Sequence, residues 1–155
     1  MVYNETVLSK HALEKYGFKV TGYVPPRMQF TPDSFAMIPH NYNYTIMGTN
    51  GSNTMQSLSE RPLFDTIPLN VESAGTQPNS YIKNFTAMKA FVDYQIYHKT
   101  WGIMHFHDIV KDPRTSDAPD WSCDPETFWQ LLQYIHNKTS SGELVVADTA
   151  DALGQ

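Results

Sequence analysis

The stretch that decides how this chain is read is residues 100–110, TWGIMHFHDIV. Two histidines stand one residue apart inside an apolar run, and an aspartate follows at once. Read as a strand, the run sends successive side chains to opposite faces. Ile103, His105 and His107 then share one face, and Met104, Phe106 and Asp108 share the other. Asp108 falls where the run gives way to the loop KDPRTSDAPDWSCD, residues 111–124. His107 and Asp108 are therefore expected at the strand's C-terminal end, with His105 one pleat deeper, ~6.5–7 Å back along the strand.

The segments on either side alternate between helix and strand signals. Residues 7–20, VLSKHALEKYGFKV, begin as an amphipathic helix with Val7, Leu8, His11, Ala12 and Tyr16 near one face and Gly17 as its stop. Residues 18–24, FKVTGYV, alternate as a strand that Pro25-Pro26 ends. A short helix follows, with Thr31 as N-cap and Pro32 in its first position, and Pro39 stops it. YNYTIMG, residues 42–48, reads as a strand, and residues 59–73 hold two prolines and read as irregular or edge-like. Ile82, Phe85, Met88, Phe91, Val92 and Ile96 recur at helical spacing through residues 80–100.

Beyond the histidine strand, Asp124 caps a helix with Pro125 at its first position. Phe128, Leu131, Leu132 and Ile135 are its expected buried face, and Trp129 is expected in the core or half-buried. GELVVADT, residues 142–149, reads as a last strand and TADALGQ as the start of a last helix. Alternation of this kind calls for an α/β fold with parallel strands covered by helices, in a single domain over residues 1–155. An order that starts on a helix and ends on the first turn of another suggests a piece of a larger barrel or doubly wound sheet.

Composition narrows the partners. The net charge is −5 and no basic run occurs, which argues against nucleic acid, whose phosphates need clustered Lys and Arg. No apolar run approaches the ~18–20 residues of a membrane span, and no charged-then-apolar leader follows Met1. The single cysteine, Cys123, excludes an intramolecular disulfide framework and a Cys-based zinc site, and reads as a buried thiol. Five N-x-[ST] sequons, at Asn4, Asn43, Asn50, Asn84 and Asn137, point to a glycosylated protein outside the cell or at its surface.

Strand C-terminal ends are where the active sites of parallel α/β folds collect. Imidazole transfers protons near neutral pH. A carboxylate can orient such a ring, although strand neighbours point apart, so contact between Asp108 and His107 is not assumed. His-x-His on one strand face is also a metal-ligand spacing. A pair of hydrogen-bonded core histidines meets the same periodicity, and the pattern alone does not choose between these.

Two segments carry a family resemblance. DYQIYHKTWGIMHFHDIV, residues 93–110, with FWQLLQYIHNKTSSGELVVADTADAL behind it, resembles the C-terminal region of polysaccharide deacetylases of the NodB-homology family. KYGFKVTGYVPPRMQF, residues 15–30, is similar to that family's middle strand, and together they cover most of the chain. The resemblance implies a deformed (β/α) barrel of which this chain is the C-terminal portion. It implies hydrolytic removal of acetyl groups from N-acetylated sugar polymers, with a carbohydrate polymer as partner. His107 corresponds by position to the histidine that acts as acid towards the leaving amine, with His105 supporting it from deeper on the strand. Tyr23 or Val24 stands where the family has a middle arginine. Tyr23, Asp108 and Trp121 are the candidate substrate contacts, Trp121 as a platform for a sugar ring.

The departures from the family are specific. Its Thr-Phe-Asp-Asp-Gly and His-x-x-x-His motifs are not found here, and they supply the base and the ligands of a divalent metal, zinc. No metal ligand is therefore assigned in this chain, no cofactor is expected on it alone, and the N-terminal half of the barrel is an implied partner. Two other readings stay open. One is a non-catalytic carbohydrate-binding or cell-surface module on a degenerate barrel. The other is a different metalloenzyme that uses His105 and His107 as ligands.

Overall fold

A computed structural model describes residues 3–26, 29–46, 67–69, 72–73, 82, 84–112 and 122–153. Helices and short parallel strands alternate along them. The chain forms two compact units, Met1–Thr49 with Met55–Asn70 and Thr149–Gln155, and Asn50–Thr54 with Val71–Asp148.

In the first unit a π-helical turn, Asn4–Leu8, leads into α1, Ser9–Glu14. Gly17 follows at φ 87°, a left-handed turn that glycine takes without a side-chain clash. The expected helix is present, but its buried residues are Thr6 and Val7, at its very start. Leu8 and Tyr16, expected on the buried face, are exposed. Burial is confined to the first turn: His11 and Ala12, on the same expected face, are exposed as well, and Tyr16 lies past the end of the helix at Glu14.

Strand β1 is Gly22–Tyr23, shorter than the run FKVTGYV predicts. Helix α2, Pro32–Met37, begins as its cap residues predict. The Thr31 side chain accepts from the Ser34 backbone N–H at 3.2 Å, and the Ser34 hydroxyl accepts from the Thr31 N–H at 2.8 Å. A 3-10 turn, Ile38–His40, follows. Strand β2, Tyr44–Ile46, pairs in parallel with β1 and with β3, Ile67–Leu69. Pro68 sits in β3, which among the described strands has β2 on one side only, a place where its missing N–H costs little. Ile38, Tyr42 and the polar Thr6, Ser34 and Thr45 are buried here. The polar members are bonded: the Thr45 hydroxyl donates to the Tyr23 carbonyl at 3.0 Å, and the Tyr42 hydroxyl donates to the Thr6 carbonyl. Helix α5, Thr149–Ala152, belongs to this unit.

The second unit holds β4 (Glu72–Ser73), α3 (Phe85–His98), β5 (Met104–His105) and α4 (Pro125–Ser140). β4 and β5 pair in parallel, Ser73 opposite His105. Asn84 caps α3 through its side chain to the Ala87 N–H at 3.0 Å, and Asp124 caps α4 through Thr127 N–H at 2.8 Å. Met88, Val92 and Gln95 make the buried stripe of α3, and Leu131 is the buried centre of α4. Ile82 and Cys123 complete the core, with Phe91, Ile96, Met104, Phe106, Phe128, Ile135 and Leu144 packed around it. The exposed side of the two helices is joined by Tyr134, whose hydroxyl donates to Asp93. Lys89 lies 2.5 Å from the same carboxylate and 4.8 Å from the centre of the Tyr134 ring.

Three expectations are corrected in this unit. Leu132 is exposed, and Trp129 is 59% exposed rather than in the core, because Leu131 and its neighbours one turn away take the buried stripe of α4. GELVVADT is not a strand. Gly142, at φ 76°, closes α4 with bonds from its own N–H to the Thr139 carbonyl and from Glu143 N–H to the Lys138 carbonyl, each 3.0 Å. The chain beyond has no ladder among the described residues, and Val145 and Val146 are 83% and 68% exposed. Apolar β-branched residues make a strand only when another strand accepts their backbone groups.

The connection from α3 to β5 fixes where the histidines go. Lys99 takes the left-handed conformation, φ 53°, at a position glycine usually fills. Thr100 then bonds back to Gln95 twice, N–H to carbonyl at 3.0 Å and hydroxyl to side-chain Oε1 at 2.5 Å. Gly102 lies flush on α3: a Cβ there would stand 2.6 Å from the Phe91 ring and 2.9 Å from Gln95 Cδ. Gly102→Ala should therefore overpack this contact and lower stability by about 1–3 kcal/mol. Urea unfolding measures it, and an unchanged midpoint would contradict the close packing.

Candidate functional site

The side chains of TWGIMHFHDIV alternate as strand geometry requires. Met104 and Phe106 turn to the core, where Phe106 meets Phe128 edge-on at 5.2 Å between ring centres. His105 and His107 go the other way together, with ring centres 4.9 Å apart and ring planes inclined at 60°. His105 is half-buried in β5, and His107 lies two residues on, past the strand's C-terminal end, exposed. The apolar run thus accommodates two histidines because only its alternate residues enter the core.

Burial penalises the charged imidazolium of His105, and the neighbouring His107 adds repulsion, so the pKa of His105 lies below its ordinary value. Near neutral pH its ring is held in the neutral form.

Asp108 is exposed, and its backbone anchors the segment: its carbonyl accepts from the Cys123 N–H at 2.8 Å, and the Val110 N–H donates to the Cys123 carbonyl at 3.0 Å. These bonds tie the end of the histidine segment to the residue before the α4 N-cap. Cys123 itself is fully buried, and burial pushes its thiol up to about 11. Such a thiol is protonated at neutral pH and a poor nucleophile.

Tyr23 stands on β1 of the first unit, half-buried, with its ring 5.1 Å from that of Tyr42. Burial first, and the carboxylate of Glu5 second, raise its phenol pKa. Trp121 lies outside the described residues. His40 is exposed at the end of the 3-10 turn. Of the residues singled out from sequence, His105 and His107 are in ring contact and Asp108 follows them in the chain.

Among the described residues, no three His, Cys, Asp or Glu side chains stand where they could hold one metal ion. They do not fit the three-ligand zinc that the family resemblance implies. The residues that sequence reasoning passed over are Gln95 and Gly102, which set the path into β5. The signal for Gly102 was its place near the start of the apolar run, where a glycine marks a close backbone approach.

The asparagines of four sequons, Asn4, Asn43, Asn84 and Asn137, are exposed, and Asn50 lies outside the described residues. No helix among the described residues is long and apolar enough to cross a membrane. No family model, no curated protein and no solved structure matches this chain.

By NMR, His105 should show a midpoint below the ordinary value of about 6.5. In His107→Ala that midpoint should rise part of the way back, as the repulsion goes and the burial stays. Since His105 takes up a proton less readily folded than unfolded, its contribution to stability is present above the unfolded value of about 6.5 and is lost as the pH falls from there through the lower folded midpoint. A His105 midpoint above 6.5 would contradict this environment. Cys123 should resist a thiol reagent in the folded chain and react on unfolding, which a timed labelling assay in and out of denaturant reads directly.

Proposed function

We propose that the chain is the C-terminal portion of a deformed (β/α) barrel that removes acetyl groups from N-acetylated sugar polymers, with His107 as the proton donor to the leaving amine. The observation that carries this reading is the imidazole pair at the C-terminal end of a parallel strand, with the outer ring exposed. Strand C-terminal ends are the functional rim of β/α folds. A group that protonates a substrate nitrogen must reach it, and the exposed position of His107 permits that. His105, half-buried against it, supports its ring from beneath. Asp108 and Trp121 are the proposed carbohydrate contacts beside it, and Tyr23, in the first unit, is a candidate on the family resemblance alone.

The sequence motifs quoted above support the same reading. The base and the ligands of the divalent metal that activates water in such chemistry are not found in this chain. The proposed activity therefore needs a partner segment, the N-terminal half of the barrel, and the chain by itself should release no acetate. The exposed sequon asparagines support a place outside the cell or at its surface.

A second reading, a non-catalytic carbohydrate-binding module, draws on a different observation. At the end of α3 the Tyr94 and His98 rings stand 4.1 Å apart and Tyr97 and His98 4.8 Å apart, with Tyr97 82% exposed. Exposed rings of this kind are platforms for sugar faces.

The two readings separate in one experiment. On the deacetylase reading, N-acetylglucosamine oligomers shift the NMR signals of His105 and His107. In a protein that also carries the Asp-Asp and His-x-x-x-His motifs, His107→Ala then cuts acetate release by ~10²–10⁴-fold. On the binding reading the shifts fall on Tyr94 and Tyr97, and acetate release is absent from the whole protein. Deacetylation indifferent to the loss of His107 would overturn the assignment of that residue.

A further inference from the structure

We propose that His105 and His107 form a two-ligand chelate for a single divalent transition-metal cation of the imidazole-binding class, with its remaining positions filled by water. The spacing of the rings carries the inference. A zinc–imidazole bond is about 2.0–2.1 Å long and the ring centre lies about 1.2 Å behind the nitrogen, so each ring centre stands about 3.2 Å from the cation. Two such rings are about 4.5 Å apart at a right-angled N–metal–N geometry and about 5.2 Å apart at a tetrahedral one. The observed separation is 4.9 Å. The ring planes are inclined at 60° rather than stacked face to face.

The backbone is held independently of the rings. Met104 and Phe106 anchor one face of the segment in the core, β4 pairs with β5, and Cys123 bonds both sides of Ile109. The pair is thus presented on a fixed scaffold, and the ordering entropy of chelation is small. His107 is exposed, which gives the cation a way in and leaves its outer positions to solvent. Imidazole selects Zn²⁺, Cu²⁺ and Ni²⁺ over Mg²⁺ and Ca²⁺, which take oxygen ligands. Two protein ligands make this a labile site, distinct from a structural zinc with four. On the proton-donor reading of His107, a cation held here would take that ring out of proton transfer. The binding itself does not rest on that reading.

The test uses the metal alone. Equilibrium dialysis of the whole chain against Zn²⁺ should give one cation per chain. His107→Ala, an exposed substitution whose fold is checked by circular dichroism, should weaken that binding at least about tenfold. His136→Ala, at an exposed position on α4, should leave it unchanged. With Cu²⁺ as probe, electron paramagnetic resonance should show two imidazole nitrogens in the unaltered chain and one in His107→Ala. Zinc binding that survives His107→Ala, copper coordinated by one imidazole in the unaltered chain, or no Zn²⁺ uptake would each overturn the proposal. Because no sugar or acetate is measured, failure of the deacetylase reading leaves this result untouched.

Discussion

The insertion of Met104 and Phe106 into the core of the second unit is the constraint on which the candidate site depends. Strand geometry leaves one choice of face per residue. Once Phe106 is locked edge-on against Phe128, the residues on either side of it are committed to the opposite face. A slip of one residue would put both histidines in the core and both apolar side chains outside. Burying two unpartnered imidazoles would cost more than the apolar contacts return. The register is therefore set by the apolar residues, and the histidines are positioned by it.

That positioning also separates the electrostatics of two chemically identical groups. His105 lies within the paired strand, and burial together with its neighbour lowers its affinity for a proton. His107 lies past the strand end and is exposed. A difference of one pleat in depth thus gives one half-buried ring beside one accessible ring. Proton donation and cation binding both need that combination, and they compete for the same nitrogens.

The path into the strand is built from local bonds on the end of α3. Lys99 accepts a left-handed conformation at a cost of ~1–2 kcal/mol relative to a right-handed one. The two Gln95–Thr100 bonds and the close seat of Gly102 on Phe91 hold it there. The same type of helix ending closes α4, with Gly142 in the left-handed position. In one case a strand partner follows and β5 forms. In the other none is described, and Val145 and Val146 stay exposed.

The sequence by itself determined the parts that depend on neighbours in the chain. Thr31-Pro32, Asp124-Pro125 and Gly17 marked helix ends because caps and left-handed turns are local chemistry. The alternation of Ile103 to Asp108 separated the histidines from the apolar residues because pleating has period two. Alternation of helix and strand likewise indicated parallel pairing, and the described strand pairs are parallel. Tertiary structure decided what needs a partner distant in sequence. Whether GELVVADT is a strand depends on an adjacent strand, and its own residues do not say whether one exists. Whether Trp129 or Leu131 is buried depends on which stripe of α4 meets Met88 and Val92, and the apolar residues of that helix permit more than one. The 4.9 Å approach of the two imidazoles is likewise a matter of rotamers and of the core behind them, and the spacing His-x-His states only that it is allowed.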